Sequence, residues 1–176
     1  TKDGKFVLQI GKQGPQTNSA DTTRLGRPAN MSVDTQANEI YIADGYYNHR
    51  VIVFDSETGA FKRMWGAYGK QPTDDKLPAY DPAAAPSQQF GNPVHCVKLA
   101  RDGLVYVCDR VNDRIQVFRK DGAFVREFFV EKATRANGSV WDLDLFPDEN
   151  ETWLLNADGA NNEVRVLERA SGATVG

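Results

Sequence analysis

The chain repeats itself, and this limits its possible folds more than any other feature. Leu25-Gly26-Arg27-Pro28 returns as Phe90-Gly91-Asn92-Pro93. Sixteen residues after each proline stands an aspartate, Asp44 and Asp109. Next come Asn48-His49-Arg50-Val51-Ile52-Val53-Phe54 and Asn112-Asp113-Arg114-Ile115-Gln116-Val117-Phe118, then Gly59-Ala60-Phe61 and Gly122-Ala123-Phe124. A weaker third copy runs through Val140-Trp141-Asp142-Leu143, Asp158, Asn161, Val164-Arg165-Val166-Leu167 and Gly172-Ala173-Thr174. A fixed period of this kind marks a stack of identical supersecondary units.

Each copy holds four short runs rich in β-branched and aromatic residues. In the second copy they are Val94–Leu99, Leu104–Cys108, Arg114–Phe118 and Phe124–Phe129, separated by turn pairs such as Asp102-Gly103 and Asp121-Gly122. No stretch carries a 3.6-residue apolar period, so helices are not expected. Four-stranded antiparallel units at this spacing predict an all-β protein, a β-propeller of four-stranded blades. The predicted layout is 1–11 as the outer strand of a preceding blade, 25–66 as a blade, 67–89 as an inserted loop, 90–130 as a blade and 136–176 as an incomplete blade. The insert carries Pro72, Pro78, Pro82 and Pro86 and reads as surface loop. Propellers close with about 4–8 blades, so three blades predict partners: the remainder of a longer ring, or a second copy of this chain completing a six-bladed one.

Composition removes several functions. Among 176 residues, Lys plus Arg number 21 and Asp plus Glu 24, a net charge of −3. Basic residues are scattered among acids, which argues against nucleic-acid binding. The longest apolar run, Leu104 to Cys108, is far short of the ~20 residues of a membrane span. Cys96 and Cys108 face each other if Leu99–Leu104 closes a tight hairpin, as a disulfide or as two buried thiols. Cys96 beside His95 is a poor nucleophile–base pair, because neighbours on a strand point to opposite faces. Asp44, Asp109 and Asp158, with Asn48, Asn112 and Asn161, recur once per blade. They read as turn staples bridged by Arg50 or Arg114 rather than as a calcium site needing ~6–8 oxygens together. Glu163 stands where those arginines stood, so the third blade is expected to lack the ion pair. The aromatics Phe54, Phe61, Trp65, Phe118, Phe124, Phe128, Trp141 and Trp153 read as blade-to-blade core.

The spacing of Pro, Asp, Asn-x-Arg and Gly-x-Phe resembles NHL repeats. From about Leu25 to Leu167, apart from the insert, Ala43-Asp44-Gly45-Tyr46-Tyr47-Asn48-His49-Arg50, Trp65-Gly66, Pro93-Val94-His95, Asp109-Arg110, Arg114-Ile115-Gln116 and Phe124-Val125-Arg126-Glu127 resemble the peptidyl-α-hydroxyglycine α-amidating lyases. That resemblance implies a six-bladed, secreted or periplasmic propeller with zinc on three histidines in its central cavity. It also implies cleavage of a peptidyl-hydroxyglycine to a peptide amide and glyoxylate. His95 matches one metal ligand, Tyr46 a catalytic tyrosine and Arg110 an active-site arginine. The other zinc ligands are expected outside this chain, calcium is a further candidate for the complete ring, and a small peptide-like substrate is the implied partner. The family's paired cysteines are absent: Gly26 and Tyr47 stand at one pair, Tyr106 and Val117 at the other.

Read from the residues alone, each site has a plainer alternative. His95 is either a ligand or a polar, cavity-facing side chain bonded to a neighbouring strand. Tyr46 and Arg110, on equivalent loops of adjacent blades, are either a base with its stabilising cation or a packed ring and a surface ion pair. At the level of function, the alternative is a non-catalytic extracellular propeller presenting its loops to a protein or glycan.

Overall fold

The computed structural model describes residues 2–15 and 18–175. Three antiparallel sheets follow one another along the chain. Blade I comprises β1 (Asn30–Asp34), β2 (Glu39–Asp44), β3 (Arg50–Asp55) and β4 (Phe61–Trp65). Blade II comprises β5 (Val94–Leu99), β6 (Leu104–Asp109), β7 (Arg114–Arg119) and β8 (Phe124–Phe129). Blade III holds β9 (Asp142–Leu145), β10 (Trp153–Asp158) and β11 (Glu163–Glu168). A bridge from Leu167 to Thr174 starts its outer edge. Each sheet is a meander in sequence order, as short turns between consecutive strands dictate. The protein is thus part of an all-β propeller.

The blades pack through two layers of buried side chains. Tyr41, Val53 and Trp65 of blade I meet Phe90, Val97, Val105 and Phe118 of blade II. Cys96, Ile115, Val117 and Phe128 of blade II meet Val140, Leu143, Leu154 and Leu167 of blade III. Cys96 and Cys108 pair in register across β5 and β6 and form a disulfide in the second layer. At the centre, Ser32 on β1 donates to the Val97 carbonyl on β5 at 2.7 Å. Gly45, just past β2, approaches the next blade so closely that a Cβ there would lie 2.1 Å from the Val94 carbonyl oxygen.

Asp44 and Asp109 are the staples that the repeat foreshadowed. Each fully buried carboxylate accepts from the glycine amide of its own repeat, Gly26 at 2.6 Å and Gly91 at 2.7 Å. Each also accepts from its asparagine and is ion-paired to a fully buried arginine, Arg50 at 2.9 Å and Arg114 at 2.7 Å.

Three expectations change. The third blade keeps an ion pair: Arg165, two residues beyond Glu163 on the same face of β11, reaches Asp158 at 3.4 Å. Residues 4–11 form no strand among the described residues; Ile10 instead packs beside Leu25 against Ile42, Ile52 and Phe54. The aromatic set is not all core: Phe61 and Phe124 are exposed, and Trp141 is half-buried just before β9, facing Arg110.

The insert opens with a 3₁₀ turn (Ala67–Gly69) and then runs without strands. Asp74 caps Ser19 and Tyr80 donates to the Lys132 carbonyl at 2.8 Å, so the segment is strapped over the loop face.

Candidate functional site

Two blade-to-blade junctions bring the predicted residues together. Tyr46 sits on the turn after β2, His95 near the start of β5, and Arg110 in the 3₁₀ turn (Arg110–Asn112) after β6. The tyrosine hydroxyl lies 3.1 Å from His95 Nε2, bridging blades I and II. The two rings meet edge-on, with centroids 5.8 Å apart. On its other side, His95 Nδ1 lies 2.5 Å from the Trp141 carbonyl of blade III. A carbonyl only accepts, so Nδ1 carries the proton and Nε2 presents its lone pair. His95 therefore accepts the Tyr46 hydroxyl proton in a hydrogen bond that runs across all three blades.

Electrostatics favour the neutral imidazole. Burial pushes His95 below its ordinary value; the Trp141 carbonyl opposes that shift, and the positive charge of Arg110 reinforces it. Tyr46 remains 41% exposed, so this side of the bridge is not sealed by the described residues.

Arg110 is held differently from the staple arginines. Its guanidinium lies over the Trp141 indole, 4.7 Å from the ring centroid. Its Nε is buried without a hydrogen-bond partner, and no carboxylate lies within ion-pair distance among the described residues. It is an arginine with unspent donors whose charge is felt at His95. Such a set suits a small anionic group, which guanidinium recognises through paired N–H donors.

For zinc, His95 has the form of a ligand: Nδ1 is tied to a carbonyl, and Nε2 would face the metal in place of the Tyr46 hydroxyl it now accepts. No group of three His, Cys, Asp or Glu side chains assembles around it among the described residues. The chain can supply one ligand of a set completed elsewhere. His49, the only other histidine, is remote from this arrangement, its Nδ1 bonded to the Phe90 carbonyl at 2.9 Å.

Trp141 is the site residue that sequence reasoning missed. A signal was present at the position after each repeat aspartate, which reads Gly45, Arg110 and Gly159. The exceptional arginine called for an exceptional neighbour.

The NHL repeat model matches residues 25–54, the first three strands of blade I with the turn that carries Tyr46. Peptidyl-glycine alpha-amidating monooxygenase B of Xenopus laevis is 32% identical over 109 residues, which cover 61% of this chain and 11% of that protein. NHL repeat-containing protein 3 of Homo sapiens is 31% identical over 122 residues, covering 67% of this chain and 29% of that one. The chain therefore spans less than a third of the length of these relatives. Among solved structures, the hydrazine synthase of Kuenenia stuttgartiensis superposes with a TM-score of 0.59 at 15% identity, over 85% of this chain and 36% of that one. Virginiamycin B lyase of Staphylococcus aureus gives 0.54 at 11% identity, over 84% and 40%. At these identities the likeness concerns the fold alone.

Proposed function

We propose that this chain, a stretch of β-propeller carrying the NHL repeat, contributes part of a lyase site that splits peptidyl-α-hydroxyglycine into a peptide amide and glyoxylate. The observation that carries this reading is the Tyr46–His95 contact across two blades, with Arg110 unpaired by any carboxylate beside it. In the reaction a base removes the hydroxyl proton and the C–O bond becomes a carbonyl. The C–N bond then breaks, and the amide nitrogen takes up a proton. Tyr46, partly exposed on the turn after β2, is the base for the substrate hydroxyl in this reading. Arg110 binds the glycine carboxylate and stabilises negative charge as the carbinol oxygen loses its proton. His95 Nε2, which accepts the Tyr46 hydroxyl, would exchange that hydrogen bond for zinc and serve as one of its ligands. When bound, zinc supplies Lewis-acid polarisation of the substrate oxygen.

The test is glyoxylate release from a peptidyl-α-hydroxyglycine by the full-length protein. Release that Tyr46→Phe and His95→Ala each lower by at least about 10²-fold supports the reading. No release, or release indifferent to both changes, ends it.

A second reading draws on the insert. It roofs a cavity of about 310 Å³ lined by Leu77, Tyr80, Pro86 and Phe129, with a neighbouring space of about 500 Å³. A secreted propeller that binds a partner through this loop face accounts for those cavities without catalysis.

A further inference from the structure

We propose that Trp141 is a positioning residue of the site, set opposite Arg110 as one half of an interblade pair. The repeat itself carries the argument. Gly45 and Arg110 occupy the same position, directly after the staple aspartates Asp44 and Asp109. Each touches the start of the next blade's inner strand: Gly45 presses on the Val94 backbone, and Arg110 lies over the Trp141 ring. Val94 and Trp141 also correspond, each three residues after the repeat glycine, Gly91 and Gly138. One junction thus pairs glycine with valine at van der Waals distance. The other replaces both partners, putting a guanidinium on an indole.

The surroundings hold the indole in place. Its Nε1–H donates to the Gly138 carbonyl at 2.8 Å. Its far face lies on Gly159, where a Cβ would come within 2.7 Å of the ring. Gly138 lets the segment approach Arg110, since a Cβ there would sit 1.9 Å from the Arg110 carbonyl oxygen. The Trp141 carbonyl meanwhile fixes the His95 tautomer. A single residue therefore sets both the direction of the guanidinium and which nitrogen of the imidazole accepts. The stack takes no N–H donor from Arg110, whereas a carboxylate partner would consume two. The cation is fixed in place and still free to bind an anion.

The decisive experiment uses full-length protein and two independent readouts. In side-chain NMR of uniformly ¹⁵N-labelled protein, with Arg110→Gln used for assignment, the Arg110 Nε–Hε proton is expected upfield of the other arginines. It should return to the ordinary position in Trp141→Val. An ordinary shift in the unmodified protein overturns the proposal. The second readout rests on the lyase reading. Trp141→Val and Gly159→Ala are expected to lower kcat/KM by about 10²-fold, as misplacement of a reacting group does, and Trp141→Phe to retain most of it. Arg110→Gly with Trp141→Val rebuilds the Gly45–Val94 type of junction, so it should melt close to the unmodified protein while releasing no glyoxylate. If Trp141→Val turns over normally and Arg110→Gln does not, Trp141 positions nothing. If the unmodified protein releases no glyoxylate, the lyase reading fails alone, and the NMR shift still decides the pairing.

Discussion

Blades I and II solve one problem in the same way, and blade III solves it differently. In the first two, an aspartate at the end of the second strand is opposed in register by an arginine at the start of the third, Asp44 to Arg50 and Asp109 to Arg114. All four side chains are fully buried. In blade III, Asp158 is opposed by Glu163, and Arg165 reaches back along the strand at 3.4 Å while also contacting Glu163 and Glu131. The repeat thus preserves a neutralised carboxylate rather than a particular pair of positions. A buried carboxylate must find a cation, and any residue on the correct face of the neighbouring strand can provide one.

The largest expected effect follows from that burial. Arg114→Ala or Arg50→Ala strands a fully buried carboxylate and is expected to cost about 3–5 kcal/mol. Arg165→Ala also uncovers a fully buried carboxylate, Asp158, but the lost guanidinium is partly solvated and shared with Glu131 and Glu163, so the cost should be smaller, about 1–3 kcal/mol. Urea unfolding of each variant measures the difference, and equal losses in the three blades would break the comparison.

The disulfide sharpens it next. Only blade II carries one, Cys96 to Cys108, closing a separation of 12 residues. The double alanine variant should lose about 3 kcal/mol by loop-closure entropy. Reduction of the unmodified protein should reproduce that loss; an unchanged urea midpoint would contradict it.

The junctions come third. Gly45→Ala drives a methyl into the Val94 backbone and should cost about 1–3 kcal/mol. Gly4→Ala meets no atom within 4 Å, so it tests whether the loss comes from contact; Gly4 has a positive φ of 73°, so any small cost there is backbone strain.

The smallest effect concerns Asp113, one residue before Arg114. Burial lifts its carboxyl to about 6, opposed by the Ser139 N–H and hydroxyl and aided by the negative charge of Asp158. The folded protein therefore holds an extra proton between about pH 4 and 6, and stability falls as pH rises through that window. Asp113→Asn keeps the acceptor for Ser139 and tolerates the left-handed backbone at φ 52°. It should flatten this slope and add on the order of 1 kcal/mol at pH 7. A slope unchanged between pH 4 and 6 would place the titration elsewhere.

Much of the fold was legible because it is written locally. Turn glycines, alternating strands and the recurring Asp–Asn–Arg phrase place the four strands of blade II without any long-range information; Val94–Leu99 and Phe124–Phe129 match to the residue, and the other two fall one residue short. Residues 4–11 misled for the same reason, since alternation is a property of a segment and a ladder requires a neighbour. The Asp158–Arg165 pair escaped because register comparison follows positions, whereas long side chains bridge along a face. The site was half legible. Tyr46, His95 and Arg110 stood out as residue types, but their proximity is a product of three blades packing together. Trp141 was hidden by a sound general rule, that repeated aromatics fill the core, at the one junction where glycine had given way to arginine.

The most direct test of the account is whether zinc binds at the Tyr46–His95 junction. A crystal structure of the full-length protein grown with zinc, with anomalous data at the zinc edge, is predicted to show one peak at His95 Nε2, absent from His95→Ala. A metal-free junction in those crystals, with the Tyr46 hydroxyl still hydrogen-bonded to Nε2, would contradict it.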